Sequence, residues 1–121
     1  MGHGQTISVI DDDGEVRASL QNFLRSAGMA VRSFAGAREF LDDTGPSDCV
    51  ITDLHMPDMD GLALLDALAA RGATPPVIVM TAFPTEAARA RAEAFGVVEF
   101  LTKPVDPDVL FEAIEAALRK I

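Results

Sequence analysis

The chain has 121 residues, of which 49% are hydrophobic and 24% charged, the proportions of an ordinary globular domain. A chain of this length buries roughly two-thirds of its unfolded surface, enough for one core without metal or disulfide staples. One domain over 1–121, with its core at about 5–120, is therefore expected. Ten Lys and Arg against nineteen Asp and Glu leave a net charge of −9, which repels nucleic-acid phosphates. With no Trp, no Tyr and no basic run longer than Arg119-Lys120, direct nucleic-acid binding is excluded. The lone Cys49 rules out an internal disulfide and a cysteine-based zinc site. No apolar run approaches the ~20 residues of a membrane span. Met1 to Gly4 has neither region of a signal peptide. No membrane contact is expected, and the cytoplasm is the expected compartment.

Short apolar runs at about 5–10, 30–34, 48–53, 76–81 and 97–101 read as strands, alternating with helix-patterned stretches. The first helix, at about 14–27, carries Val16, Leu20, Phe23, Leu24 and Ala27 as an apolar stripe. Gly28, Gly72 and Gly96 each follow a helical pattern and precede a strand, where a left-handed cap suits glycine. Repeated helix, glycine and strand predict crossover units and a parallel sheet covered by five helices on both faces. Strands one, three and four are almost wholly apolar, whereas strand two contains Arg32 and Ser33 and strand five contains Glu99. Strands two and five are then the edges. The fold class predicted is α/β, a doubly wound five-stranded parallel sheet of order 2-1-3-4-5, with its ligand crevice at the carboxyl ends of strands one and three.

Asp11, Asp12 and Asp13 directly follow strand one, Asp53 ends strand three, Thr81 ends strand four, and Lys103-Pro104 follows strand five. In a parallel sheet all these positions lie along one edge. Carboxylates gathered there raise one another's pKa values unless a cation neutralises them. Hard oxygen donors with room for water suit Mg2+, with Mn2+ an alternative. A carboxylate beside such an ion, with a lysine and a hydroxyl in reach, has the parts for phosphoryl transfer.

The residues VIDDD, VITDLHMPDMDG, MTA and EFLTKP, in that order, resemble the receiver domain of two-component response regulators, a CheY-like, flavodoxin-like fold. The wording of the third motif is similar to receivers of the FixJ type. The resemblance covers about 5–120 and implies the following roles. Asp53 is the phosphoacceptor, taking a phosphoryl group from a phosphohistidine on a sensor histidine kinase. Asp11 and Asp12 hold Mg2+ together with Asp53 and the backbone carbonyl of His55. Thr81 is the switch hydroxyl, Phe100 the aromatic switch, and Lys103 the cation that pairs with phosphoryl oxygens. Lys103-Pro104 is expected as a cis peptide, which a proline permits. His55 and Phe83 flank the route of hydrolytic water and so modulate the lifetime of the phosphoryl group. The resemblance also implies a phosphorylation-dependent homodimer through helix four, strand five and helix five, and a C-terminal DNA-binding output domain beyond this chain. A receiver standing alone is the other possibility that the sequence leaves open.

Other readings compete at several positions. Asp13 suits a helix cap. Asp58 and Asp60 suit a turn and a cap before Gly61. Phe100 suits fixed core, and Cys49 a small buried apolar residue. VIDDDGEV also resembles the motif of haloacid-dehalogenase-like phosphatases, with Asp11 as nucleophile, Asp13 as general acid, and Thr81 and Lys103 on the phosphate. Glu15 in place of the expected threonine, and the absence of a role for Asp53, weigh against it. A third reading is a receiver-like interaction module that is never phosphorylated.

Overall fold

A computed structural model of the chain describes residues 5–43, 45–72 and 74–119. Five strands, β1 (Thr6–Ile10), β2 (Ala30–Phe34), β3 (Cys49–Asp53), β4 (Val77–Thr81) and β5 (Glu99–Thr102), alternate with five helices. These are α1 (Gly14–Ser26), α2 (Ala37–Asp42), α3 (Gly61–Ala70), α4 (Glu86–Phe95) and α5 (Pro107–Arg119). All neighbouring strands pair in parallel, in the order β2-β1-β3-β4-β5. This is the doubly wound α/β arrangement expected from strand composition. Every residue of β1, β3 and β4 is buried, while β2 and β5 are partly open.

Two cores result, one on each face of the sheet. Leu24 of α1 and Leu110, Ala113, Ile114 and Ala117 of α5 pack on Ile7, Val9, Ile51, Ile78 and Met80. The other face packs α2, α3 and α4 on Ile10, Val50, Val77, Val79 and Phe100. Alternation of side chains along each strand sends consecutive residues to opposite cores.

The apolar stripe of α1 is less buried than its spacing predicts. Leu24 alone is fully buried, Val16, Leu20 and Phe23 are half-covered, and Ala27 is exposed as the residue capping the helix end. The cover on this side is α5, reached by an edge-to-face contact between Phe23 and Phe111 at 6.4 Å. Strand five also starts later than the apolar run suggests. Val97 is engaged by α4, its N–H donating to Ala92 O at 3.2 Å beyond the left-handed Gly96 (φ 100°). Pairing with β4 follows only after that. Gly28 and Gly72 adopt the same positive φ, as expected of helix ends that turn into strands.

Candidate functional site

The carboxyl ends of β1, β3 and β4 bring Asp11, Asp53 and Thr81 to one edge, and the loop after β5 brings Lys103 across it. Asp11 is fully buried. Its Oδ1 accepts the Asp13 N–H at 2.9 Å, and its Oδ2 accepts from Lys103 Nζ at 2.9 Å. Asp53 is also buried, with Oδ2 3.2 Å from the same Nζ and Oδ1 3.4 Å from the His55 N–H. Asp12, exposed, completes a set in which carboxylate oxygens of Asp11, Asp12 and Asp53 lie within 4.8 Å of one another.

Burial pushes the Asp11 carboxyl above its ordinary pKa, against hydrogen bonds from Asp13 N–H and Lys103 that pull it down. Burial also works against the Lys103 ammonium, but Asp11 and then Asp53 outweigh it and hold its pKa above the ordinary lysine value. One ammonium therefore faces three carboxylates. The donors are all hard oxygens, one of them solvent-exposed, and the uncompensated charge is that of a divalent cation. The residues present fit Mg2+, an ion that keeps several waters and takes few carboxylates.

Local structure explains the placement. Asp13 caps α1, its side chain accepting from Glu15 N–H at 2.9 Å and Val16 N–H at 3.3 Å, and it is not part of the Asp11, Asp12 and Asp53 set. Asp60 caps α3 through Ala63 N–H at 2.8 Å, and Asp58 takes the left-handed conformation (φ 76°) in the turn before it. The Lys103-Pro104 peptide is cis.

Thr81 is buried, and its Oγ1 accepts the Phe83 N–H at 3.0 Å. Phe83 is 70% exposed. Its ring meets the His55 ring edge-on at 5.8 Å, and its carbonyl lies 3.4 Å from His55 Nε2. His55 and Phe83 thus form one rim of the site. Phe100 sits opposite Val79 across the β4–β5 pair, on the same side of the sheet as Thr81 two residues further on. It is buried, with the Arg89 guanidinium 4.7 Å from its ring centroid. Among the described residues, Asp11, Asp12 and Asp53 are the only group of three or more potential ligands placed to hold a metal ion.

Two residues near the site, Arg17 and Arg89, are not apparent from the sequence pattern, and Gly61 shows there only as the position where a helix begins. Arg17 reaches back from α1, donating to Asp11 O at 2.7 Å and setting a guanidinium beside the acidic loop. A Cβ at Gly61 would lie 2.6 Å from Asp53 O and 2.9 Å from Leu54 Cα, so only glycine lets α3 start against the end of β3. Its N–H bonds Leu54 O at 2.8 Å. Arg89, in a run of alternating Ala and Arg, gives no signal at all. Gly61 alone carried one, the Asp-Gly step where a helix begins.

Comparison with known proteins agrees with this geometry. The profile of the response regulator receiver domain matches residues 7–115. The chain is 43% identical over 114 residues to transcriptional regulatory protein FixJ of Azorhizobium caulinodans, covering 93% of this chain and 54% of that protein. It is 37% identical over 119 residues to transcriptional regulatory protein TdiR of Thauera aromatica, covering 97% and 52%. The chain thus spans about half the length of these curated relatives. Among solved structures, that of FixJ-N superposes with a TM-score of 0.88 at 34% identity, covering 97% of this chain and 95% of that one. Full-length FixJ from B. japonicum superposes with 0.88 at 39% identity, covering 97% and 59%. Sequence motifs, sheet order and the acidic edge of the sheet converge on one assignment: the chain belongs to the receiver domain family of two-component response regulators.

Proposed function

We infer that this domain accepts a phosphoryl group on Asp53 from a phosphohistidine of a sensor histidine kinase, and that it works as a switch rather than an enzyme acting on other substrates. The observation that carries the reading is the position of the Asp53 carboxylate: buried, 3.2 Å from Lys103 Nζ, and within 4.8 Å of two further carboxylates. An Asp53 oxygen attacks phosphorus, the O–P bond forms, the N–P bond of the donor breaks, and the imidazole leaves with its electron pair. Lys103 offers its ammonium to the phosphoryl oxygens as a mobile point charge.

Receiver domains bind Mg2+ at an acidic pocket, and here Asp11, Asp12, Asp53 and the backbone carbonyl of His55 would hold it. When bound, the ion offsets the charge of the carboxylates and of the incoming oxygens. Mn2+ offers the same oxygen preference. The product carries roughly one extra negative charge and three acceptor oxygens. Thr81 would turn its hydroxyl to one of them, Phe100 would follow, and the surface of α4, β5 and α5 would change. His55 and Phe83, which touch at the rim, would govern the access of water and hence the lifetime of the phosphoryl group.

The names of relatives, transcriptional regulatory proteins and a DNA-binding transcriptional regulator, support a transcriptional output through a DNA-binding domain elsewhere in the protein; on the same reading a homodimer through α4, β5 and α5 would be its trigger. Among the described residues no helix is long and apolar enough to cross a membrane, and a cytoplasmic site of action is part of the same reading. Treating the protein with Mg2+ and acetyl phosphate, and weighing it intact, tests the proposal. One phosphoryl adduct on the wild type and none on Asp53→Asn is expected. Turnover through Asp11 would favour the phosphatase reading, and no adduct the inert module.

A further inference from the structure

Asp12 is the exposed member of the acidic set, and among the described residues its carboxylate pairs with no cation and accepts no hydrogen bond. Its place beside Asp11 and Asp53 is therefore set by the backbone on either side. Asp11 Oδ1 accepts the Asp13 N–H at 2.9 Å, closing a turn around Asp12 and holding the peptide that leaves it. Arg17 Nη1 donates to Asp11 O at 2.7 Å, holding the peptide that enters it. Asp11 itself is fully buried and bonded to Lys103 Nζ at 2.9 Å, so the freedom left in this loop falls on Asp12.

Charge does not explain where Arg17 sits. It is the fourth residue of α1, close to the helix end where the macrodipole disfavours a cation. Among the described residues it forms no ion pair, with Asp12 or with any other acid. Its N–H donates to Asp13 O at 3.0 Å in the first turn of the helix, and its half-buried side chain folds back to a neutral carbonyl. The guanidinium is planar and its bond to that carbonyl is charge-assisted, so the hold on the Asp11–Asp12 peptide is directional.

We propose that Arg17 is a positioning residue for the metal ion: by gripping Asp11 O it fixes the Asp11–Asp12 peptide and keeps the exposed Asp12 carboxylate in register with those of Asp11 and Asp53. This rests on the reading of the three carboxylates as a Mg2+ site. A ligand group that must be ordered when the ion arrives lowers affinity by the cost of ordering it, and a group bonded behind the ligands removes that cost beforehand.

The test is a titration with Mg2+ alone, followed by backbone NMR, beside urea unfolding of the same proteins without metal. It compares wild type, Arg17→Met, Arg17→Lys and Leu20→Ala. Arg17→Met keeps the apolar stem but removes donor and charge. By charge alone, taking a cation from beside a cation site should tighten Mg2+ binding; loss of positioning should weaken it, by roughly three- to ten-fold, below the effect of losing a direct partner of a ligand. The sign therefore decides. Arg17→Lys, which keeps the charge and a donor on a shorter stem, should recover part of the loss. Leu20→Ala loosens the packing of α1 away from the loop, and should lower the urea midpoint at wild-type Mg2+ affinity. Equal or tighter binding by Arg17→Met, no recovery in Arg17→Lys, or the same weakening in Leu20→Ala overturns the role of Arg17 while leaving the Mg2+ site intact. No Mg2+ binding by the wild type overturns both.

Discussion

The Phe83 N–H donates to Thr81 Oγ1 at 3.0 Å, so the hydroxyl at the end of β4 anchors the loop that leads into α4. On the proposed function, the same side chain would also meet a phosphoryl group on Asp53. A Thr81 that turned toward a phosphoryl oxygen would, on that reading, release this anchor, and the first turn of α4 is the next element along the chain.

Thr81→Ala should remove that anchor and Thr81→Ser should keep it. A hydrogen bond of this kind contributes about 1 kcal/mol, so the Phe83 amide should exchange several-fold faster in the Ala variant and at nearly the wild-type rate in the Ser variant. Amide exchange followed by NMR reads this directly. Unchanged Phe83 protection in Thr81→Ala would mean that the loop is held by other contacts.

Cys49 opens β3 in the core beneath α1 and α5, and burial pushes its thiol up to about 12 from an ordinary 9.0. The thiolate is the reactive form, so iodoacetamide at about pH 8 should alkylate Cys49 only when the chain unfolds. The folded pKa lies above the unfolded one, so this group's contribution to stability is complete below 9.0 and is lost as pH rises toward 12. Cys49→Ala should therefore flatten the alkaline loss of stability. Rapid alkylation of the native protein would contradict the burial.

Gly61→Ala would drive a Cβ against Asp53 O and Leu54 Cα. Backbone cannot swing aside as a side chain can. The substitution should cost about 1–3 kcal/mol and push on the backbone of Asp53, shifting the carboxylate that this backbone carries, so that urea unfolding moves to lower concentration and Mg2+ binds more weakly. A wild-type urea midpoint would show that α3 can slide away without penalty.

The sheet order and the gathering of Asp11, Asp53, Thr81 and Lys103 were legible because both follow from chain direction. In a parallel sheet the residue ending each strand must lie at one edge, whatever the side chains do. The reach of long side chains follows no such rule. Arg17 bonds a carbonyl six positions back and Arg89 covers a ring on another element, and neither spacing is periodic. The half-burial of α1 was illegible for a related reason. An apolar stripe says which side of a helix faces inward, but its depth depends on whether a neighbour such as α5 lies alongside.

Lys103 Nζ lies between Asp11 Oδ2 at 2.9 Å and Asp53 Oδ2 at 3.2 Å, and it is the one cation that ion-pairs with either among the described residues. Lys103→Ala would leave Asp11 buried with only the Asp13 N–H, a carboxylate deprived of its counter-charge. Removing one partner of such a pair is costly, on the order of 2–4 kcal/mol. Part of that cost can be avoided if Asp11 takes a proton, since burial already favours its neutral form. The raised Asp11 pKa works in one direction: any stability from the protonated carboxyl is full at low pH and is lost as pH rises through the folded value. The variant should therefore lose most stability at neutral pH and least in acid. Mg2+ should restore part of the neutral-pH loss, because a divalent cation supplies the missing charge to the same oxygens, and Asp12→Ala should weaken that rescue. Thermal melts of the wild type and Lys103→Ala across pH, with and without Mg2+, test each step. A pH-independent deficit that Mg2+ leaves untouched would mean that Lys103 contributes packing rather than charge.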